Sequence, residues 1–136
     1  MRRERRMRRE RKPGQLSTIE LKYEKKLVKE EVVPSGHQPD DYIVERLNCD
    51  SHDGRKIPLT ITRHKKTKLD GTANLLLYAY GSYGASMGPG FSSSRLSLIN
   101  RNIIWVTTHI RGGMERGMSW WKEGKMLNKK NTFEDY

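Results

Sequence analysis

Residues 74–84 read Asn74-Leu75-Leu76-Leu77-Tyr78-Ala79-Tyr80-Gly81-Ser82-Tyr83-Gly84. A continuous apolar run closed by turn residues is the pattern of a strand covered on both faces, as in a parallel sheet. Gly81 and Gly84 stop it sharply. Working downstream, Ile103-Ile104-Trp105-Val106 is a second run of the same kind. Arg95 to Asn100 between them reads as a short helix, with Leu96, Leu98 and Ile99 apolar. Strand, helix and strand in that order argue for an α/β sheet.

Working upstream, Ile57, Leu59 and Ile61 alternate with Pro58, Thr60 and Thr62, the period-2 signature of a half-buried strand. Tyr42 to Leu47 is another strand, and the Asp53-Gly54 pair between the two favours an antiparallel hairpin. Beyond the second buried run, Arg111-Gly112-Gly113 is a tight turn and Trp120 to Leu127 an amphipathic helix. Asn131, with Glu134 three residues on, predicts the N-cap of a last helix. That helix signal reaches residue 136 without a C-terminal cap, so the sequence predicts a truncated domain. Two buried strands make only part of a sheet. Strands meant for an interior are therefore expected to present open edges.

The chain has 136 residues, with 27 Lys and Arg against 16 Asp and Glu, a net charge of +11. The first twelve residues, a near-duplication of MRRERR, hold +6 of that excess. Residues 1–14 are expected to be a disordered basic tail, because Met1 and Met7 are too little apolar surface to offset ordering entropy. Clustered arginines neutralise phosphates, which raises the alternative of a non-catalytic binding protein whose arm takes nucleic acid or an acidic partner. No aromatic interleaves the arginines and no basic stripe continues beyond them, so specific nucleic-acid binding is not expected. Residues 15–40 read as a linker or short strand with loop punctuation at Pro34 and Pro39.

No apolar run approaches the roughly 20 residues of a membrane helix, and none follows the basic start as a secretory signal would. With Cys49 alone there is no intrachain disulfide, which points to a reducing cytoplasm. His37, His52, His64 and His109 lack metal-ligand spacing, so neither a metal nor another cofactor is expected. His109 is expected to be a satisfied hydrogen-bonding residue. Trp105, Trp120 and Trp121 are expected to pack strand and helix.

The motifs ERL at 45–47, DGRKIPLTI at 53–61, LLLYAYGSYG at 75–84, RLSL at 95–98, HIRGGMERG at 109–117 and KKNTFEDY at 129–136 occur in a characteristic order. In this the chain resembles the oligopeptidase B branch of the prolyl oligopeptidase family of serine peptidases. The resemblance implies a partial α/β-hydrolase sheet over 41–136, preceded by a segment like the exit from a β-propeller. It also implies cleavage of short peptides by a Ser-Asp-His triad, with the Ser in a G-x-S-x-G elbow. No such elbow exists here: Gly81-Ser82-Tyr83-Gly84 has the wrong spacing and Ser92-Ser93-Ser94 lacks the glycines. The chain alone is therefore expected to be inactive, and to meet a peptide substrate only if a C-terminal half, such as a separately encoded downstream fragment, completes it.

By the same resemblance Tyr80 is an oxyanion stabiliser, its phenol standing in for a backbone N–H. Read without the resemblance, Tyr80 ends a strand inside the core. Tyr83 matches an aromatic position near the substrate pocket. Relatives selective for basic substrates carry acids shortly after this loop, where this chain has Met87-Gly88-Pro89-Gly90. Arg111, Gly112, Gly113 and Glu115 form a structural loop, in which an ion pair is expected rather than catalysis. Met114 stands where the family has a third glycine.

Overall fold

A computed structural model describes residues 26–29, 33, 36–88 and 90–136. The expected tail at 1–14, residues 15–25 of the linker, and Pro34 and Pro89 lie outside the described residues. The chain divides into two units, Met1–Val32 and Val33–Tyr136. Of the first, residues 26–29 have no regular structure, and Leu27 and Val28 are exposed.

The second unit is built on a four-stranded sheet of order β1-β2-β4-β3. A 3-10 turn at Pro39–Asp41 leads into β1, Tyr42–Asp50, which pairs antiparallel with β2, Lys56–His64. Both run longer than the sequence pattern indicated. Leu47 faces Leu59 and Cys49 faces Ile57, and the Ser51–Arg55 loop is closed by the Ser51 N–H donating to the Arg55 carbonyl at 2.8 Å. β3 is Leu75–Tyr78, α1 is Ser93–Ile99 and β4 is Ile104–Thr108. β4 runs antiparallel to β2 and parallel to β3. The partial α/β sheet with an antiparallel edge hairpin is thus present.

α1 buries Leu96 and Ile99, spaced three apart on one helix face. Its Arg95 guanidinium lies 5.3 Å from the Trp105 ring centre, which puts α1 on the sheet face that carries Trp105 and Thr107. Asn102, at φ 63°, ends the helix in the left-handed region that Asn tolerates. On the opposite face Ile57, Ile110 and Trp120 form a small core. Burying an Ile side chain such as Ile57 contributes about 1.5–3 kcal/mol.

Three local expectations are corrected. The run at 74–80 is not covered on both faces: β3 is an edge strand, with Leu75 57% and Tyr78 37% exposed. The helix expected from Trp120 to Leu127 breaks into α2, Met118–Lys122, and a 3-10 turn at Met126–Asn128. The break falls at Gly124, whose backbone lies against Arg111 and Gly112 too closely for any Cβ. Asn131 is not an N-cap; α3 spans Lys129–Glu134, and the Asn131 side-chain amide donates to the Glu123 carbonyl at 2.9 Å. No helix among the described residues is long and apolar enough to cross a membrane.

Candidate functional site

β3 and β4 run parallel, so their carboxyl ends open on one side of the sheet, where open α/β sheets place ligands. The loops after both strands meet there. Tyr80 stands two residues beyond the end of β3, 46% exposed and outside the core. The Lys129 ammonium fixes the backbone immediately after it, donating to the Gly81 carbonyl at 2.6 Å and to Ser82 Oγ at 2.8 Å. Burial pushes the Lys129 amine below its ordinary value.

Ser82 to Ala85 then form a turn closed by the Ala85 N–H donating to the Ser82 carbonyl at 3.0 Å. Both central residues have positive φ, 53° at Tyr83 and 67° at Gly84, the signature of a type I′ turn. Tyr83 carries its ring 91% exposed. The Gly84 N–H donates to the Gly112 carbonyl at 2.9 Å, which joins the two loops. Gly112 has φ 100°, and a Cβ on it would collide with the Gly81 carbonyl. Gly113 is packed against the Glu115 carboxylate in the same way.

Arg111 is buried beneath this junction. Its Nε and Nη2 donate to the two carboxylate oxygens of Asp135, and its Nη1 donates to Asp53 Oδ2 at 2.6 Å. Ser51 Oγ donates to Asp135 Oδ1 at 2.6 Å. The Asp135 bonds hold the guanidinium charged well above its ordinary range, against the cost of burial. Burial pushes the Asp135 carboxyl up, but the bonds from Arg111 and Ser51 outweigh it and the net displacement is downward. The ion pair ties β4's loop to α3 and to the β1–β2 hairpin.

Glu115 reaches elsewhere. Its Oε1 accepts the Met87 N–H at 2.9 Å and lies 3.8 Å from His109 Nδ1. His109 Nε2 is 2.7 Å from Thr60 Oγ1, and burial pushes the ring below its ordinary value, so it is neutral. His109 Nδ1 and Glu115 Oε2 are buried without a hydrogen bond among the described residues.

The structure brings Tyr80, Tyr83, Arg111, Gly112, Gly113 and Glu115 into one pair of linked loops. Sequence reasoning missed Lys129, Asp135 and Asp53, although Lys129 and Asp135 lie in the block KKNTFEDY. Chemically, the cluster offers a phenol on a stiffened loop, with the Ser82 hydroxyl 2.8 Å from the Lys129 amine and the Thr60 hydroxyl 2.7 Å from His109 Nε2.

Comparison with known proteins completes the picture. Residues 89–136 match the model of the prolyl oligopeptidase family. Dipeptidyl aminopeptidase BI of Pseudoxanthomonas mexicana is 45% identical over 114 residues, covering 83% of this chain and 16% of its own. The chain belongs to the prolyl oligopeptidase family. Protease 2 of Moraxella lacunata is 42% identical over 92 residues, covering 68% of this chain and 13% of the relative. Among solved structures, oligopeptidase B from Leishmania major superposes with a TM-score of 0.72 at 42% identity, over 74% of this chain and 14% of that one. This prolyl oligopeptidase family chain therefore spans about one sixth, or less, of the relatives it matches, within their peptidase sequence.

Proposed function

We propose that the chain supplies the first strands and one oxyanion donor of a serine oligopeptidase catalytic domain. It hydrolyses short peptides only when further polypeptide brings the Ser, Asp and His. The observation that carries this reading is Tyr80: half exposed at the carboxyl end of a parallel strand, with its following residues pinned by Lys129. In acyl transfer the Ser oxygen attacks the peptide carbonyl, a His takes the Ser proton, and the carbonyl oxygen becomes an oxyanion. The Tyr80 O–H donates a hydrogen bond to that oxyanion without giving up its proton. A preorganised donor of this kind is worth about 3 kcal/mol, or two orders of magnitude in kcat. Tyr83 would contact the substrate from the adjoining turn. The Glu115-held loop at 85–88 offers no acid to a basic substrate side chain. The single Cys49 suits a reducing, cytoplasmic setting. No observation on the folded part favours the binding-protein alternative, whose arm lies outside the described residues.

The test is a graft in which residues 41–136 replace the matching segment of Moraxella lacunata Protease 2. The grafted enzyme should cleave a fluorogenic peptide, and Tyr80→Phe should lower its kcat about a hundredfold with KM little changed. The 136-residue chain alone should give no cleavage. Cleavage by the chain alone, or an unaffected Tyr80→Phe graft, overturns the reading.

A further inference from the structure

The turn that carries Tyr83 stands in a positive field with no acid to match it. A Cβ built on Gly84 would meet Met114 Sδ at 2.9 Å and Trp121 Cδ1 at 3.6 Å, so a thioether and an indole lie against the turn. The Lys125 ammonium sits over that indole, 3.6 Å from the ring centre. Trp121 thus bridges Gly84 and a cation. The ring quadrupole holds the ammonium in place, so Lys125 loses less freedom on meeting an anion than a lysine surrounded by water. At the start of the same turn the Lys129 ammonium meets Ser82 Oγ.

Both charges are uncompensated. Lys125 rests on a π face and Lys129 on two neutral oxygens, and no carboxylate lies within ion-pair distance of either among the described residues. The acids of the neighbourhood are engaged elsewhere. Glu123 pairs with Arg55 and Arg111, and Asp53 and Asp135 are taken by Arg111. The buried Glu115 carboxylate turns inward, to the Met87 N–H and His109. Residues 82–88 carry no charge at all. Next to the cation stand apolar surfaces open to solvent, the Tyr83 ring and the Met114 side chain. A ligand that satisfies both features brings an anion on a short apolar stem, and in a peptide that anion is a carboxylate.

We propose that Lys125, set over Trp121 beside the Tyr83 turn, binds a carboxylate of the peptide substrate, so that the site selects acidic peptides over basic ones. Tyr83 and Met114 pack on the stem that bears the carboxylate. That the ligand is a substrate rests on the function proposed above; that a carboxylate binds here rests on the geometry alone. The group belongs either to a Glu or Asp side chain or to the peptide's own C-terminus, and the attraction is the same in kind.

The kinetic arm of the test uses the Moraxella lacunata Protease 2 graft and internally quenched peptides that keep the residue at the cleaved bond and carry Glu, Gln or Lys beside it. KM should rise in the order Glu, Gln, Lys with kcat little changed, because the contact is made equally in ground and transition states. Lys125→Ala should raise KM for the Glu peptide about threefold, and Lys125→Glu should reverse the order. Lys122→Ala, which removes a neighbouring exposed lysine, should leave the order and its spread intact. Added salt should narrow the spread.

The binding arm uses the full chain and follows the Trp121 indole N–H by NMR, a local readout that anions gathered by the arginines of residues 1–12 do not move. A Glu peptide amidated at its C-terminus and a Gln peptide with a free C-terminus separate the two carboxylate sources. At least one should shift the signal, an amidated Gln peptide should not, and Lys125→Ala should abolish the shift. A KM order that favours Lys, equal effects of Lys125→Ala and Lys122→Ala, or an unmoved Trp121 signal overturns the proposal. A graft that cleaves without charge preference overturns the subsite and leaves the peptidase reading standing. A graft that cleaves nothing overturns that reading, and the Trp121 titration then decides the subsite by itself.

Discussion

Arg111 and Asp135 form a two-pronged pair, Nε to Oδ2 at 2.8 Å and Nη2 to Oδ1 at 2.6 Å, with both side chains out of contact with water. The Arg111 main-chain N–H adds a third bond to Oδ2 at 3.0 Å. Removing Asp135 strips the buried guanidinium of its two-pronged partner and leaves only the Asp53 carboxylate at Nη1. Asp135→Ala should therefore cost about 3–5 kcal/mol. Asp50→Ala, which breaks the exposed pair with Lys56, should cost less than about 1 kcal/mol. Urea unfolding of the two variants side by side measures the contrast, and equal losses would contradict the buried-pair account.

The same neighbourhood sets a pH dependence. Burial keeps His109 neutral, so below its ordinary 6.5 the unfolded chain takes up a proton that the folded ring refuses. Stability should fall as pH drops through that value. The Asp135 carboxyl is held below its ordinary 3.8, so its stabilisation is complete at neutral pH and is lost under stronger acid. The two effects have the same sign in successive windows. A denaturation midpoint followed from pH 8 to pH 3 should show both declines, and His109→Gln should remove only the one beginning near 6.5.

Much of this was legible in the residues. The alternation at Ile57, Leu59 and Ile61 and the runs around Leu76 and Ile104 each gave a strand of the right type. Their failures have one physical cause. Periodicity records what a segment can bury, and not whether a neighbour is present to bury it, so β3 read as interior while Leu75 stands bare. Long-range contact was equally silent. Nothing in the pattern Trp120 to Leu127 reveals that Gly124 must lie against Gly112. Nothing local to Arg111 points to a carboxylate 24 residues on. Nothing local to Lys129 points to Gly81, 48 residues away.

Gly112 offers a test of how tightly the two loops are joined. Gly112→Ala meets two penalties, the left-handed φ of 100° and a Cβ driven into the Gly81 carbonyl. Gly54→Ala meets only the first, since its φ is 78° and nothing lies within 4 Å of the added carbon. The second variant should lose about 1–2 kcal/mol and the first clearly more. The difference isolates the contact that sets the backbone beside Tyr80. Chemical denaturation gives the stabilities, and in the grafted peptidase only Gly112→Ala should also depress kcat.

Tyr83 holds a positive φ of 53° that costs a bulky residue energy, and its ring, 91% exposed, recovers almost none of it by packing. Asn tolerates that backbone conformation and suits the first central position of a type I′ turn. Tyr83→Asn should thus stabilise the fold by about 1 kcal/mol. A strained residue that packs against nothing invites a ligand-facing role. In the grafted enzyme the same substitution should then raise KM several-fold with kcat nearly unchanged, because the lost contact is made equally in ground and transition states. Stabilisation with unaltered KM would make the tyrosine dispensable to binding. A loss of stability would show instead that the ring packs on a surface beyond those described.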